Sequence, residues 1–261
     1  MSFRTLVLIP SYNTGASLLQ QTVQGAMTAG VPIWVMIDGS TDGSGEALAA
    51  WVQTIPQVTV HQLPVNRGKG ATVREGALRA LEAGFTHAVV MDADGQHPAE
   101  AIPRFIELAK RNPDAVIMGT PEFGPEAPKS RLYGRKLTIF WTDLETLWSG
   151  LGDTLFGFRL YPLAPLVAAM DNTSHARGFD FDPEVAVRLF WQGARPLNLP
   201  VTCRYLSKTE GGISHFHYLR DNLKLTWLHF RLIPEFILWQ WVNALRTKRR
   251  SACLHVNECI S

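Results

Sequence analysis

The chain has 261 residues, 46% of them hydrophobic, enough to enclose one large α/β core or one core with an appendage. A net charge of +2 is too balanced for a nucleic-acid-binding field over the whole molecule, and the three scattered cysteines, Cys203, Cys253 and Cys259, form neither a disulfide framework nor a zinc spacing. A reducing cytoplasm is the simplest setting, since Thr5 to Ile9 enters strand-like sequence with no leader pattern and no stretch reaches the ~18 uncharged apolar residues of a spanning helix.

The first half alternates two patterns. Apolar runs at Thr5 to Ile9, Ile33 to Ile37, Val58 to Leu63, Ala88 to Met91 and Ala115 to Met118 predict strands. Between them, Ala16 to Ala29, Gly45 to Thr54, Gly70 to Ala83 and Pro98 to Lys110 predict helices. This rhythm implies an α/β fold with a central, mostly parallel sheet covered on both faces. Beyond Gly119 the rhythm changes. A Pro/Gly-rich loop is expected from Pro121 to Pro128, a helix over Arg131 to Trp148, a strand over Thr154 to Tyr161, a short helix over Asp182 to Trp191 and a strand over Pro196 to Arg204.

From Val201 onward the chain carries nine Lys/Arg against four acids, which points to an anionic partner at that end. Residues 223–250 combine Trp227, Phe230, Phe236, Trp239 and Trp241 with the terminal Lys248-Arg249-Arg250. They read as amphipathic helices lying in a membrane interface, with Pro234 expected to break them in two. Residues 1–222 then form one domain, and 251–261 a tail with no interpretable signal that could be disordered.

Four loops carry the chemistry, each at the C-terminal end of an expected strand, where ligands bind open α/β sheets. They are Pro10-Ser11-Tyr12-Asn13, Asp38-Gly39-Ser40-Thr41-Asp42-Gly43-Ser44, Asn66-Arg67-Gly68-Lys69-Gly70 and Asp92-Ala93-Asp94-Gly95-Gln96-His97. An aromatic face at Tyr12 suits a flat ring. Glycines around Lys69 allow close backbone approach, and Lys69 could meet phosphate or base. Asp42 reads as a helix cap. Paired acids at Asp92 and Asp94 suit a hard divalent cation carrying a diphosphate. Neither a Walker loop nor a Gly-x-Gly-x-x-Gly fingerprint follows the first strand.

Together with Asp153-Thr154-Leu155-Phe156-Gly157-Phe158-Arg159, these loops resemble the family 2 glycosyltransferases of GT-A fold, over roughly Thr5 to His217. The Asp-Ala-Asp-x-Gln-His form is similar to that of the polyprenyl-phosphate sugar transferases, of which dolichol-phosphate mannose synthase is the familiar example. The resemblance implies an inverting enzyme that uses a UDP- or GDP-sugar. Pro10, Tyr12 and Asn13 would line the base pocket, and Asp38 and Asp92 would contact the nucleoside. Asp94, joined by Gln96, would hold Mg²⁺ or Mn²⁺ on the diphosphate. The acceptor implied is a polyprenyl phosphate or other lipid at the inner face of the cell membrane, with no nucleic-acid partner.

The chain departs from that subgroup at Gly119-Thr120-Pro121, where the subgroup has Gly-Thr-Arg, so Arg131 or Arg135 is expected to supply the phosphate-binding guanidinium. Segments Tyr205 to Lys208 and Gly211 to Phe216 also differ. Asp180, Asp182 and Glu184 are the candidate bases, Asp182 with a capping role and Glu184 with a helix-dipole role as alternatives; His215 and His217 are weaker candidates. A hydroxyl acceptor would need such a base, whereas a phosphate is already an oxyanion. A soluble transferase to a hydroxyl and a non-catalytic nucleotide-sugar-binding subunit are the alternative readings.

Overall fold

A computed structural model describes residues 2–123, 129–203 and 218–258, without the side chains of 129–134, 218–222 and 244–258. The described elements are β1 (Thr5–Ser11), α1 (Ala16–Met27), β2 (Ile33–Asp38), α2 (Ser44–Trp51), β3 (Val58–Leu63), α3 (Lys69–Glu82), β4 (His87–Val90), a 3₁₀ turn (Ala99–Ala101), α4 (Ile102–Arg111), β5 (Ala115–Phe123), α5 (Lys129–Glu145), β6 (Arg159–Pro162), α6 (Leu163–Asp171), α7 (Phe181–Trp191), β7 (Arg195–Cys203) and α8 (Tyr218–Glu258). The strands form one seven-stranded sheet in the order β3-β2-β1-β4-β6-β5-β7. Only β6 runs antiparallel to its neighbours, pairing with β4 and β5.

Burial explains the apolar runs. Every residue of β1 and β4 is buried, as a central strand covered on both faces requires. On one face, Leu19 and Val23 of α1, Leu48 of α2 and Phe105 of α4 pack with Val7, Ile9 and Val35. On the other, Val73 of α3, Leu166 of α6, Val185 of α7 and Leu228 and Leu232 of α8 pack with Leu6, Leu8 and Met36.

Four expectations are corrected. The strand expected over Thr154 to Tyr161 begins only at Arg159. The buried Arg159 guanidinium turns back to donate to the carbonyls of Thr154 (2.5 Å) and Phe156 (2.9 Å), which holds the preceding residues in a wound loop. The loop expected from Pro121 is still strand to Phe123, because β5 pairs with β7 through Phe123 and Cys203. The expected break at Pro234 is absent, and α8 runs through it. Pro234 removes one backbone donor, but α8 is fastened to α7 on either side, by Arg231 to Glu184 and by Glu235 to Arg188 (2.8 Å). The helix also continues into the segment expected to be a tail, as far as Glu258.

From Leu223 to Trp241 the outer face of α8 is rich in exposed apolar side chains. Leu223, Trp227, Phe230, Leu238 and Trp241 are exposed at helical spacing, and Trp227 and Phe230 stack. Leu137 and Phe140 of α5, the helix packed beside it, are also exposed. No helix among the described residues is long and apolar enough to cross a membrane.

Candidate active site

The first three loops brace one another at the C-terminal edge of the sheet. Asn13, in the left-handed region at φ 47°, accepts from Thr41 N–H (2.8 Å) through Oδ1. Asp42 accepts from Gly15 N–H (2.9 Å) and from Ser44 N–H (3.1 Å), the structural part expected of it. Pro10 is buried inside β1, and Tyr12 is exposed at the rim. Asp38 is buried and accepts from the backbone N–H of Arg67 and Gly68, both at 2.9 Å, so it sets the β3–α3 loop. Gly39, at φ +63°, leaves room for that loop, since a Cβ there would lie 2.5 Å from Asn66 N.

The fourth loop meets the third and the start of α7. Lys69, the first residue of α3, reaches Asp92 Oδ1 at 2.6 Å and Asp182 Oδ2 at 2.7 Å. Burial works against its charge, but Asp182 and Asp92 outweigh it and hold the ammonium pKa above its usual value. Burial likewise works against the Asp92 carboxylate, yet the Lys69 ammonium keeps its pKa low. His97 Nδ1 accepts the Asp92 backbone N–H at 3.0 Å, which places the ring proton on Nε2. Its ring lies between Phe156 and Phe158, and burial pushes its pKa down to about 4, so it is neutral.

Asp94 differs from its neighbours. No cation forms an ion pair with it among the described residues; its Oδ1 accepts only the Gln96 backbone N–H, at 3.0 Å. Burial and the nearby Asp92 push its carboxyl up to about 6. The site is therefore short of positive charge at Asp94. No group of three or more His, Cys, Asp or Glu side chains able to hold a metal occurs among the described residues. A cation there would need further oxygens from a ligand, the arrangement usual for Mg²⁺ on a diphosphate.

Arg135 of α5 is fixed by Asp153 Oδ2 at 2.6 Å and lies over the Phe123 ring. Its Nη2 is buried with no partner among the described residues. Arg131 lies on the same helix, one turn earlier, but its side chain is outside the described residues, as are Tyr205 to Lys208, Gly211 to Phe216 and His217.

The three candidate bases diverge: Asp180 accepts from the backbone N–H of Ala176 (3.1 Å) and Gly178 (2.9 Å) and so shapes its own turn. Asp182 Oδ2 is taken by Lys69, while Oδ1 is buried and unpartnered among the described residues. Glu184 is fully buried and accepts from Thr173 Oγ1 (2.9 Å), Arg188 Nε (2.8 Å) and the Arg231 guanidinium, which joins α7 to α8. Burial favours its neutral form, but Arg231 and Arg188 prevail and hold its pKa low. Glu184→Gln should lower unfolding stability by about 2–3 kcal/mol by leaving guanidiniums under-compensated, while transfer by the folded fraction is retained. A urea titration paired with a rate assay checks this; an unchanged midpoint with lost activity would return Glu184 to the chemistry.

Arg159 escaped sequence reasoning as a single residue. Its guanidinium also donates to the Asp182 carbonyl (2.6 Å) and Tyr161 Oη (3.1 Å), tying the 153–158 loop to α7. Its place at the end of the Gly-Phe-Arg segment was the available signal.

A seven-stranded, mostly parallel sheet with its four loops gathered at one edge has the GT-A fold of solved glycosyltransferases. Solved structures with this fold include glucosyl-3-phosphoglycerate synthase from Mycobacterium tuberculosis, in complex with Mn²⁺, UDP-glucose and phosphoglyceric acid. Its TM-score is 0.61 at 14% identity, covering 90% of this chain and 80% of that one. Another is the mannosyltransferase PcManGT from Pyrobaculum calidifontis with GDP-Man and Mn²⁺, at TM-score 0.53 and 17% identity, covering 77% and 56%.

Residues 6–179 match Glycosyl transferase family 2, and the chain belongs to that family. It is a glycosyltransferase. An undecaprenyl-phosphate mannosyltransferase of Micrococcus luteus is 30% identical over 229 residues, covering 80% of this chain and 89% of the relative. A polyprenol monophosphomannose synthase of Mycolicibacterium smegmatis is 28% identical over 220 residues, covering 81% and 80%. The expected subgroup, the polyprenyl-phosphate sugar transferases, is the one these relatives represent.

Proposed function

We propose that this protein transfers a sugar, with inversion, from a UDP- or GDP-sugar to a polyprenyl phosphate or related lipid at a membrane surface, with Mg²⁺ or Mn²⁺ bound. The observation that carries the reading is Asp94, a half-buried carboxylate with no ion pair among the described residues, at the ligand-binding edge of the sheet. Asp94, with Gln96 beside it, would hold the ion, which would supply Lewis-acid stabilisation of the departing diphosphate. Pro10, Tyr12 and Asn13 support a nucleoside site, with Asp38 and Asp92 shaping its floor. Arg135, with its unpartnered Nη2, and Arg131 from the same helix would bind phosphate.

The acceptor oxygen attacks the anomeric carbon as the bond to the diphosphate oxygen breaks, so the configuration inverts. A phosphate acceptor brings its own oxyanion, so no base is required. The mannosyl lipid carriers named for the two relatives support this acceptor class. The exposed aromatic face of α8 supports a peripheral position, with its ~27 Å from Leu223 to Trp241 lying along the bilayer surface. Trp227→Ala/Phe230→Ala should weaken binding to anionic vesicles at least about tenfold, measured by co-sedimentation; unchanged binding would remove α8 from the membrane. A cytoplasmic location on the inner face belongs to the same reading.

One observation favours a second reading. The unpartnered Asp182 Oδ1 could take a proton from a hydroxyl acceptor. The deciding experiment assays a panel of UDP- and GDP-sugars, with polyprenyl phosphate and with sugar hydroxyl acceptors, for wild type and Asp182→Asn. Transfer to the lipid phosphate that survives Asp182→Asn within about tenfold supports the first reading. Transfer only to a hydroxyl, lost in the variant, establishes the second. No transfer from any donor would sink both.

A further inference from the structure

The sequence reading pointed Lys69 at a phosphate or base, but in the structure the ammonium faces two carboxylates from opposite sides of the site, Asp92 after β4 and Asp182 at the start of α7. The space around it is kept open by Gly157. A Cβ at that position would fall on the Lys69 Nζ and come within 2.9 Å of Asp92 Oδ2 and 3.3 Å of Asp182 Oδ1. Gly157 has no left-handed backbone to explain it, so this space is what requires glycine. Phe158 stacks on His97, and Arg159 holds the Asp182 carbonyl, so each residue of the Gly-Phe-Arg segment serves the same junction.

An anionic acceptor faces an electrostatic problem here. Asp92 and Asp182 both meet at Lys69, Asp94 follows two residues after Asp92, and unpaired carboxylates in a partly desolvated site repel an incoming phosphate. We infer that Lys69 is an internal counter-ion, a positioning residue that ties Asp182 to Asp92 so that an anionic acceptor meets a neutralised pair rather than two free carboxylates. The inference rests on the phosphate-acceptor reading above. It differs from direct contact between Lys69 and a phosphate in one consequence: removing a carboxylate should compensate for removing the lysine.

The experiment measures transfer to polyprenyl phosphate by wild type, Lys69→Met, Asp182→Asn and the double variant, with KM for donor and acceptor determined separately. Lys69→Met should raise the acceptor KM at least about tenfold and leave the donor KM within about threefold. Adding Asp182→Asn should recover at least about tenfold in kcat/KM. Should Lys69→Met fail to fold, the double variant, which buries one carboxylate fewer, is compared with Asp182→Asn alone; near-equal transfer is expected. A raised donor KM, no recovery in the double variant, or a double variant far below Asp182→Asn would each overturn the inference while leaving the function standing. A wild type that transfers only to hydroxyls would overturn the phosphate-acceptor reading and this inference with it.

Discussion

Asp94→Ala should cut transfer by about 10³-fold and abolish binding of Mn²⁺ in the presence of nucleoside diphosphate, with the fold intact. The separation of the two effects follows from the electrostatics. The wild-type carboxyl is pushed up to about 6 by burial and by Asp92, which means that its charged form is disfavoured in the folded chain. At neutral pH, replacing it relieves that penalty, so the metal-free variant should unfold at an equal or higher temperature than the metal-free wild type. Activity lost with stability kept or gained is the pattern of a functional charge. Calorimetry of metal binding, thermal unfolding and a rate assay together check it. Transfer within tenfold of wild type would take Asp94 out of the metal site.

Arg159→Met should behave in the opposite way, losing stability first. The wild-type guanidinium is fully buried and serves four acceptors: the carbonyls of Thr154, Phe156 and Asp182, and Tyr161 Oη. Methionine has similar length and no donors, so the variant buries those acceptors unsatisfied and frees the 153–158 loop. The expected loss is about 3–5 kcal/mol, or roughly 10 °C in unfolding temperature. Because the loop carries Gly157 and Phe158 against Lys69 and His97, activity should fall with it. Chemical denaturation measures the loss; a change below about 1 kcal/mol would show that the acceptors find other partners.

Much of this architecture was legible from local pattern. Buried parallel strands such as β1 and β4 read as continuous apolar runs because both faces are covered, and β1 to β4 are all found within a residue or two of the expected runs. The four loops were placed at strand ends by the same periodicity, and the structure brings all four to one edge of the sheet. Asp42 is structural, bracing Gly15 and Ser44 through their N–H groups, but the helix cap itself falls on Gly43. The helix α6 was missed, since Leu163 to Asp171 is short and three of its exposed positions are Ala164, Pro165 and Ala168, too apolar to mark a solvent face, although Leu163, Leu166, Val167 and Met170 are buried at helical spacing.

Sequence pattern thus decided the fold class, the family and the acid loop after β4, because each depends on periodicity or on a contiguous motif. Tertiary structure alone decided which charges meet. Lys69 pairs with Asp182 across 113 positions, and Glu184 is claimed by Arg231 across 47, which separates two acids only two residues apart into one that opens on the site and one that fastens α8. The same packing carried α8 straight through Pro234, because ion pairs on both sides hold the helix to α7 where the backbone ladder loses a bond. Such pairings depend on distances in space between residues remote in the chain, and no local pattern encodes them.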